Sequence, residues 1–120
     1  MVYIETNHLV MPQDLNPHGS LFGGTMMSWM DKLAAIYAMK ITRRNCVTKY
    51  VNQIEFNKPI NVKDVVTLRA SVKKEGTTSI VIKVDAFKRG ILEYEEEKAV
   101  TAEFVFVSVT KHGERTVWNI

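Results

Sequence analysis

Residues 16–41 read NPHGSLFGGTMMSWMDKLAAIYAMKI and contain the one long helical segment that the sequence predicts. After the adjacent glycines, positions 25–41 hold neither glycine nor proline and are rich in Ala, Met and Leu, which favour helix. Arg43 and Arg44 follow, and basic side chains are favourable near the negative, C-terminal end of a helix dipole. We therefore predict a helix from Thr25 to about Ile41.

This helix would be apolar around most of its circumference. When residues are placed at ~100° intervals, a narrow arc holds the polar side chains, which are Thr25, Ser28, Lys32 and Lys40. Large apolar side chains cover the rest: Met26, Met27, Trp29, Met30, Leu33, Ile36, Tyr37 and Met39. A helix that is apolar nearly all round is typically buried. We therefore expect the remainder of the chain to enclose it.

A period of two replaces the helical period in the second half of the chain. Apolar and polar residues alternate over 66–72 and again over 80–86, with Glu75 and Gly76 between them. These segments predict two half-buried antiparallel strands joined by a tight turn. Three further segments predict strands, the middle one with weaker alternation: 2–11, 46–56 and 100–106. The predicted order is one strand, one helix and then four strands.

This order of elements predicts an α+β architecture. Five antiparallel strands curled around one long apolar helix would enclose it, and that layout is the hotdog fold. The chain of 120 residues has 46% hydrophobic residues, which is enough apolar content for one core. We expect residues 1–120 to form a single domain.

Composition excludes several other classes of protein. No apolar run approaches the ~18 residues of a membrane span, and no secretory signal pattern is present at the start, so a cytoplasmic location is expected. The lone Cys46 lacks a disulfide partner and a nearby Cys or His with which to hold a metal, so we expect a packed thiol and no metal site. The basic residues that give the net charge of +3 are scattered along the chain and interleaved with acidic ones. A modest positive surface of this kind suits a small polyphosphorylated ligand as well as it suits nucleic acid. No nucleic-acid partner is predicted.

Asp31 is the anomalous residue of the helix. It lies at the edge of the polar arc, and the small side chains of Ala34, Ala35 and Ala38 leave space close to it. One interpretation is a solvated aspartate paired with a neighbouring cation such as Lys32. The other is a partly buried carboxylate beside a cavity, which would act as a general base or a nucleophile.

Gly23 and Gly24 immediately precede the predicted helix. Adjacent glycines allow a ligand to approach the backbone closely, and the free N–H groups of a first helical turn point outward at the positive end of the dipole. Such donors stabilise negative charge that develops on a carbonyl oxygen. A simple tight turn is the alternative interpretation, and spacing alone leaves both open.

The chain resembles the hotdog acyl-CoA hydrolases, which include the bacterial YciA-type enzymes and the cytosolic long-chain acyl-CoA hydrolases. The resemblance is strongest in the NPHGSLFGG of residues 16–24, followed by Trp29-Met30-Asp31. The pattern N-x-x-G-x-[IL]-F-G-G ahead of a helical M-D is highly specific. The resemblance continues through Val47-Thr48, residues 54–60 and residues 76–79, so it covers most of the chain.

This resemblance implies hydrolysis of an acyl-CoA to a free carboxylic acid and CoA. It makes Asp31 the general base or nucleophile, Asn16 its polar helper and the Gly24 backbone N–H part of the oxyanion hole. No metal or organic cofactor is implied, because CoA is part of the substrate. The family places the two side chains of one site on different subunits, so we expect a homodimer as the minimal unit and a homohexamer, a trimer of dimers, as the assembly.

Further residues are expected at the substrate. Five of them match the resembling segments: Phe22, Gly23, Thr48, Gly76 and Ser79. Basic side chains near the mouth of the site should hold the CoA phosphates. The candidates for that role are Arg43, Arg44, Lys58, Lys88 and Arg89, and the sequence does not choose among them.

Two other functions remain open at this point. A hotdog dehydratase or hydratase would use a histidine with a carboxylate, here His18 with Asp31, although the hydrolase motif leaves the position of His18 variable. A noncatalytic acyl-CoA binding protein would retain affinity without turnover. His8 and His112 have no carboxylate or cysteine at ligand spacing, and we expect them to be surface residues.

Overall fold

The computed structural model describes residues 2–120 and contains one helix and five strands besides a short 3-10 turn at Pro12–Asp14. Their bounds are β1 (Ile4–Leu9), α1 (Gly23–Thr42), β2 (Asn45–Phe56), β3 (Asp64–Glu75), β4 (Ser79–Gly90) and β5 (Glu97–Val109). The predicted order of one strand, one helix and four strands is confirmed. Helix α1 begins at Gly23, so both glycines belong to its first turn rather than to a loop before it.

The five strands form one antiparallel sheet in the order β1-β3-β4-β5-β2. Short connections join β3, β4 and β5 in the centre, while β1 and β2 form the two edges. The predicted hotdog architecture, a five-stranded antiparallel sheet with one long helix, is confirmed. None of the helices within the described residues combines the length and hydropathy that a bilayer span requires.

The core lies between α1 and one face of the sheet. Alternate residues of the central strands are buried, as the period of two predicts: Val66, Leu68 and Ala70 on β3, and Ile80, Ile82, Val84 and Ala86 on β4. The helix contributes Met26, Met30, Leu33, Ala34, Tyr37 and Ala38. Burial of each large apolar side chain stabilises the fold by about 1.5–3 kcal/mol, so the sheet fixes the rotation of the helix about its axis.

The sheet covers only one side of the helix, which corrects the expectation that the strands enclose it. Ile36 is 57% exposed and Met39 is 37% exposed, although both belong to the apolar surface that the sequence predicts. The reason is geometric, because five strands curve around one face of a helix without closing over the opposite face. An apolar strip of α1 therefore faces outward in the single chain.

Edge strand β2 is irregular, which explains its weak alternation. Its register with β5 shifts between Thr48 and Tyr50 and again between Asn52 and Glu55, and Gln53 adopts a left-handed φ of 51°. Each bulge inserts residues without a partner and interrupts the period of two. The strand pairs with β5 on one side only, so its other edge is free within the chain.

The C-terminal segment fastens the β3–β4 turn. The Trp118 indole donates to the Ser79 carbonyl at 2.9 Å, and the Asn119 amide donates to the Gly76 carbonyl at 3.2 Å. Within the turn, the Gly76 N–H donates to the Ser79 carbonyl, and a Cβ on Gly76 would lie 2.4 Å from Ser79 Oγ. A side chain at position 76 would therefore displace the Ser79 hydroxyl and crowd the Ser79 carbonyl, which would lie 3.3 Å from the added Cβ.

Candidate active site

The first turn of α1 carries three backbone N–H groups with no protein acceptor. The Met26 N–H donates to the Phe22 carbonyl at 3.1 Å, whereas among residues 2–120 neither a side chain nor a carbonyl accepts from Gly23, Gly24 or Thr25. These orphan donors lie at the positive end of a 20-residue helix. They are suited to an oxygen that carries or develops negative charge.

The two glycines of this turn differ in their surroundings. A Cβ on Gly23 would meet the Phe56 ring at 3.5 Å, an ordinary contact, whereas a Cβ on Gly24 would have nothing within 4 Å. Neither glycine has a positive φ, so the backbone conformation does not require glycine at either position. The absence of a side chain at Gly24 leaves open the approach to the free N–H groups.

Asn16 organises the loop that precedes the helix. Its Oδ1 accepts the backbone N–H of His18 at 2.8 Å and that of Ser20 at 3.2 Å, and its Nδ2 donates to Ser20 Oγ at 3.0 Å. Because two backbone donors meet Oδ1, the orientation of the amide is fixed. One Nδ2 hydrogen remains, so the side chain can offer a donor to a ligand but has no free acceptor.

A cavity of about 340 Å³ joins Asn16 to the first turn of the helix. Gly23 and Lys58 line it together with apolar side chains, which are Leu21, Met26, Phe56, Pro59 and Ile60. The Leu21 N–H donates to the Ile60 carbonyl at 2.7 Å and so fixes one wall. Of the residues predicted to contact substrate, Gly23 and Lys58 lie here with Asn16, and the exposed Phe22 is next to them.

Asp31 lies farther along the same helix and is held by Thr48 of β2. Thr48 Oγ1 donates to Asp31 Oδ1 at 2.7 Å, and the Asp31 side chain is half-buried while Thr48 is exposed. The first bulge of β2 follows Thr48 directly, and bulges often reposition a side chain next to an active site. The carboxylate is therefore oriented through Oδ1, and no group among residues 2–120 forms a hydrogen bond with its Oδ2.

The single chain does not bring Asp31 into the Asn16 cavity. Seven residues separate Gly24 from Asp31 along α1, which corresponds to roughly 10 Å of helix. Asp31 is absent from the lining of the cavity that contains Asn16 and Gly23. One carbonyl cannot contact both groups of the same chain at hydrogen-bond distance.

The remaining predicted contacts lie elsewhere. Gly76 and Ser79 form the β3–β4 turn beneath Trp118 and Asn119. Arg89 donates from Nη1 to the carbonyls of Gly90, Ile91 and Glu93, at 3.4, 3.4 and 3.1 Å, so its guanidinium supports its own loop. Arg43 ends the helix, at the opposite end from the cavity.

The histidines have different roles from one another. His18 is exposed, and its backbone N–H rather than its imidazole takes part in the Asn16 loop. His8 was expected at the surface and is instead half-buried, with its ring stacked on Trp29 at 4.4 Å between centroids. Burial lowers the pKa of His8, against the opposing effect of the Asp14 carboxylate. The partner of His8 lies 21 positions away, beyond the reach of local spacing.

Cys46 is half-buried, with its thiol 3.3 Å from Thr42 Oγ1. It packs where the end of α1 meets the start of β2. The expectation of a packed thiol is consistent with these contacts.

Comparisons with known proteins identify the family. The family model described as the thioesterase superfamily matches residues 18–94. An uncharacterised acyl-CoA thioester hydrolase of Bacillus subtilis, YkhA, is 38% identical over 104 residues, which are 87% of this chain and 60% of YkhA. The acyl-CoA thioester hydrolase YciA of Escherichia coli is 36% identical over 108 residues, 88% of this chain and 82% of YciA.

Solved structures agree with this assignment. An acyl-CoA hydrolase of Staphylococcus aureus, in complex with butyryl coenzyme A and coenzyme A, superposes with a TM-score of 0.91 at 31% identity, over 96% of this chain and 70% of that one. A hexameric thioesterase of Yersinia pestis superposes with a TM-score of 0.88 at 34% identity, over 96% of this chain and 93% of that one. Sequence and fold together show that the chain belongs to the thioesterase superfamily.

Proposed function

We propose that this protein hydrolyses acyl-CoA thioesters to a free carboxylic acid and CoA, with Asp31 as the catalytic carboxylate. The observation that carries the proposal is the Asp31–Thr48 pair on the helix whose first turn holds three unused N–H donors. Relatives named as acyl-CoA thioester hydrolases support the choice of substrate. CoA enters only as part of that substrate.

Asp31 has two routes to the same products. As a general base, it would take a proton from water while the oxygen of that water attacks the thioester carbonyl, and the tetrahedral intermediate would then break its C–S bond and release CoA, whose thiolate takes up that proton. As a nucleophile, its Oδ2 would attack the carbonyl, expel the CoA thiolate and form a mixed anhydride that water then cleaves. Both routes use the free Oδ2, and Thr48 stabilises the carboxylate through Oδ1 in either case.

The first turn of α1 would stabilise the negative charge on the carbonyl oxygen. The Gly24 N–H is the donor of choice, because a ligand can approach it without meeting a side chain. Asn16 would add one donor through its remaining Nδ2 hydrogen, orienting the thioester or the attacking water. Lys58, on the wall of the same cavity, has only an exposed ion pair with Glu97 at 3.7 Å and is available to the substrate.

A complete site requires a second copy of the chain. The roughly 10 Å of helix between Gly24 and Asp31 separates the oxyanion donors from the carboxylate within one chain. Pairing two chains would bring Asp31 of one to the first turn of the other, and the exposed strip of α1 with Ile36 and the free edge of β2 are surfaces for such a contact. A homohexamer built as a trimer of dimers is our proposal for the assembly, in line with the hexameric relative from Yersinia pestis.

Variants of a relative support this grouping of residues. The Staphylococcus aureus acyl-CoA hydrolase has been solved with an aspartate, an asparagine or a threonine replaced by alanine. Those three positions are spaced along that chain as Asp31, Asn16 and Thr48 are along this one. The agreement supports assigning the three side chains to one reaction.

The test is to mix two variants that are each impaired in a different half of the site. Asp31→Asn and Asn16→Asp would be purified separately, then unfolded and refolded together, and thiol release from a panel of acyl-CoAs would be followed. Each mixed dimer would contain one intact and one doubly defective site, so a random mixture should recover about a quarter of wild-type turnover. The experiment therefore reports both thioesterase activity and the sharing of the site.

Two results would contradict parts of the proposal. Absence of thiol release by the wild-type protein with every acyl-CoA would remove the reaction. A mixture no more active than its separate components, with sizing that shows mixed dimers, would place the complete site within one chain.

A further inference from the structure

Lys88 interrupts the buried face of strand β4. Alternate residues of that strand pack in the core, and the fully buried members of the series are Ile80, Ile82, Val84 and Ala86. Lys88 is the next residue of the series, and its partner on β3 is the fully buried Val66. The Lys88 side chain is only 16% exposed. A lysine at the end of a core face costs free energy unless its ammonium group has partners.

The ammonium group of Lys88 has two partners among residues 2–120. Its Nζ donates to the Pro59 carbonyl at 2.5 Å and lies 3.6 Å from Oε1 of Glu97, the residue opposite it on β5. The other oxygen of Glu97 lies 3.7 Å from Nζ of Lys58. Both ion pairs are longer than a hydrogen bond, and the Glu97 side chain is 53% exposed. The bond to the Pro59 carbonyl is therefore the stronger of the two contacts.

Pro59 lies in one wall of the cavity that contains Asn16, within the wall segment 57–60. This segment belongs to neither a helix nor a strand, and at its start the Asn57 N–H donates to a carbonyl of β5 at 2.8 Å. Proline has no N–H, so the backbone of Pro59 can be held by a hydrogen bond only through its carbonyl. Lys88 therefore fixes the middle of the wall to a central strand of the sheet.

The wall is bonded in turn to the loop that carries Asn16. The carbonyl of Ile60, the residue after Pro59, accepts the Leu21 N–H at 2.7 Å. Ser20, the residue before Leu21, accepts the Asn16 N–H at 2.7 Å on its carbonyl and the Asn16 Nδ2 at 3.0 Å on its Oγ. A displacement of Pro59 would therefore also displace Asn16, and misplacing a contact by about 1 Å can lower a rate ~10²-fold.

We propose that Lys88 is a positioning residue, whose ammonium group holds the cavity wall and, through that wall, the amide of Asn16 that faces the substrate. This inference rests on the proposed function, since it assigns a support to the active site of that reaction. Lys88 acts on the wall from the core side, through the Pro59 carbonyl, and needs no contact with the substrate.

Lys88→Met removes the ammonium group, and a methionine at the end of a core face is compatible with folding. We expect kcat to fall about tenfold with acyl-CoA and equally with the corresponding acyl-pantetheine, because the nucleotide takes no part in the contact. Lys88→Arg keeps a donor for the Pro59 carbonyl and should stay within about threefold of wild type. Lys83→Met is the matched control and should change neither reaction, since Lys83 lies on the same strand, pairs with Asp85 at 3.8 Å and is absent from the cavity lining.

A double-mutant cycle tests whether Lys88 acts through Asn16. Asn16→Asp removes the donor whose position Lys88 fixes, so adding Lys88→Met to that variant should lower kcat by less than about twofold further. Additive losses would overturn the inference, because Lys88 would then support the enzyme independently of Asn16. A loss confined to the KM for acyl-CoA, with acyl-pantetheine hydrolysis unchanged, would also overturn it, because Lys88 would then be a phosphate contact.

Hydrogen–deuterium exchange separates this inference from the proposed reaction. Lys88→Met should accelerate the exchange of backbone amides in residues 16–21, whereas Lys83→Met should not, because only the former loosens the wall to which that loop is bonded. Faster exchange would support the role of Lys88 even if the wild-type protein hydrolysed no acyl-CoA. Unchanged exchange in Lys88→Met, with circular dichroism and sizing as in wild type, would overturn it.

Discussion

The first turn of α1 and the segment around Asp31 belong to one helix, yet they are supported in different ways. The first turn presents backbone donors, and the preceding loop is held by several hydrogen bonds around Asn16. The carboxylate of Asp31 is held by a single side-chain bond from an exposed Thr48. Backbone N–H donors remain after most side-chain substitutions, whereas a single replacement at position 31 removes the carboxylate. We therefore expect substitutions to lower turnover most strongly in the middle of the helix.

The strongest test of this contrast is Asp31→Asn. The amide keeps the shape and can still accept from Thr48, but it loses the negative charge and the basicity, so we expect kcat to fall at least ~10²-fold with KM unchanged or lower. Thiol release measures the loss, and circular dichroism with sizing checks the fold. Asp85→Asn is the matched control, because Thr101 Oγ1 donates to Asp85 Oδ1 at the same 2.7 Å on the central sheet. Similar losses in both variants would show that the effect is structural.

Asn16→Asp tests the region at the first turn of α1, where we expect a slightly smaller loss of turnover. The carboxylate retains acceptors for the His18 and Ser20 N–H groups but removes the one hydrogen available to a ligand. We expect kcat to fall by about one to two orders of magnitude, the effect of one lost donor to the transition state. Thermal unfolding should change little, whereas Asn16→Ala should also lose loop stability. Normal kinetics for a folded Asn16→Asp protein would limit Asn16 to a structural role.

Thr48→Val should have a smaller effect than either of these. Valine keeps the shape of threonine but cannot donate to Asp31, and loss of one hydrogen bond to a charged group corresponds to about tenfold in kcat. Thr48→Ser retains the hydroxyl and should stay close to wild type. Steady-state kinetics of both variants, with Thr101→Val as a control, decide the point. Unchanged turnover in Thr48→Val would mean that Asp31 is positioned without its partner.

The smallest expected effect concerns His8, whose ring stacks on Trp29 between the two regions of the helix. Burial lowers its folded pKa below the value of about 6.5 expected when unfolded. The unfolded chain therefore binds a proton more readily, and the free energy of unfolding should fall as the pH drops below about 6.5. His8→Phe keeps a stacked ring and should flatten this dependence, measured as thermal midpoints against pH. An unaltered slope in His8→Phe would refute the assignment.

The parts of the fold with regular spacing were predictable from the sequence. Strand β4 alternates cleanly because it is a central strand with one fully buried face, β3 does so apart from the buried Thr67, and α1 lacks internal breakers. Strand β2 was harder to recognise because its two bulges interrupt the period. The outward position of Ile36 was not predictable, since an apolar helix surface looks the same whether a sheet or a second chain covers it.

The candidate active site was only partly predictable, because some of its contacts join residues that are far apart in the sequence. The N-x-x-G-x-[IL]-F-G-G motif pointed to Asn16, Gly24 and Asp31, but spacing alone left Asp31 open to a structural interpretation. Its bond to Thr48 crosses from helix to strand, and the contacts of Arg89 depend on the shape of its loop. Neither arrangement has a local period from which it could be deduced.

During translation from the N-terminus, the two edge strands of the sheet are synthesised before its three central strands. Strands β1 and β2 and the helix between them lie within residues 4–56, whereas their partners β3 and β5 lie within residues 64–109. At ~5–20 residues per second, the roughly 50 residues from the end of β2 to the end of β5 take on the order of 3–10 seconds to add. During that interval the apolar face with Met26, Met30 and Leu33 has no sheet to cover it. A ribosome that stalled after β2 would hold a helix carrying Asp31 with no sheet beneath it, a form suited to recognition by chaperones and proteases.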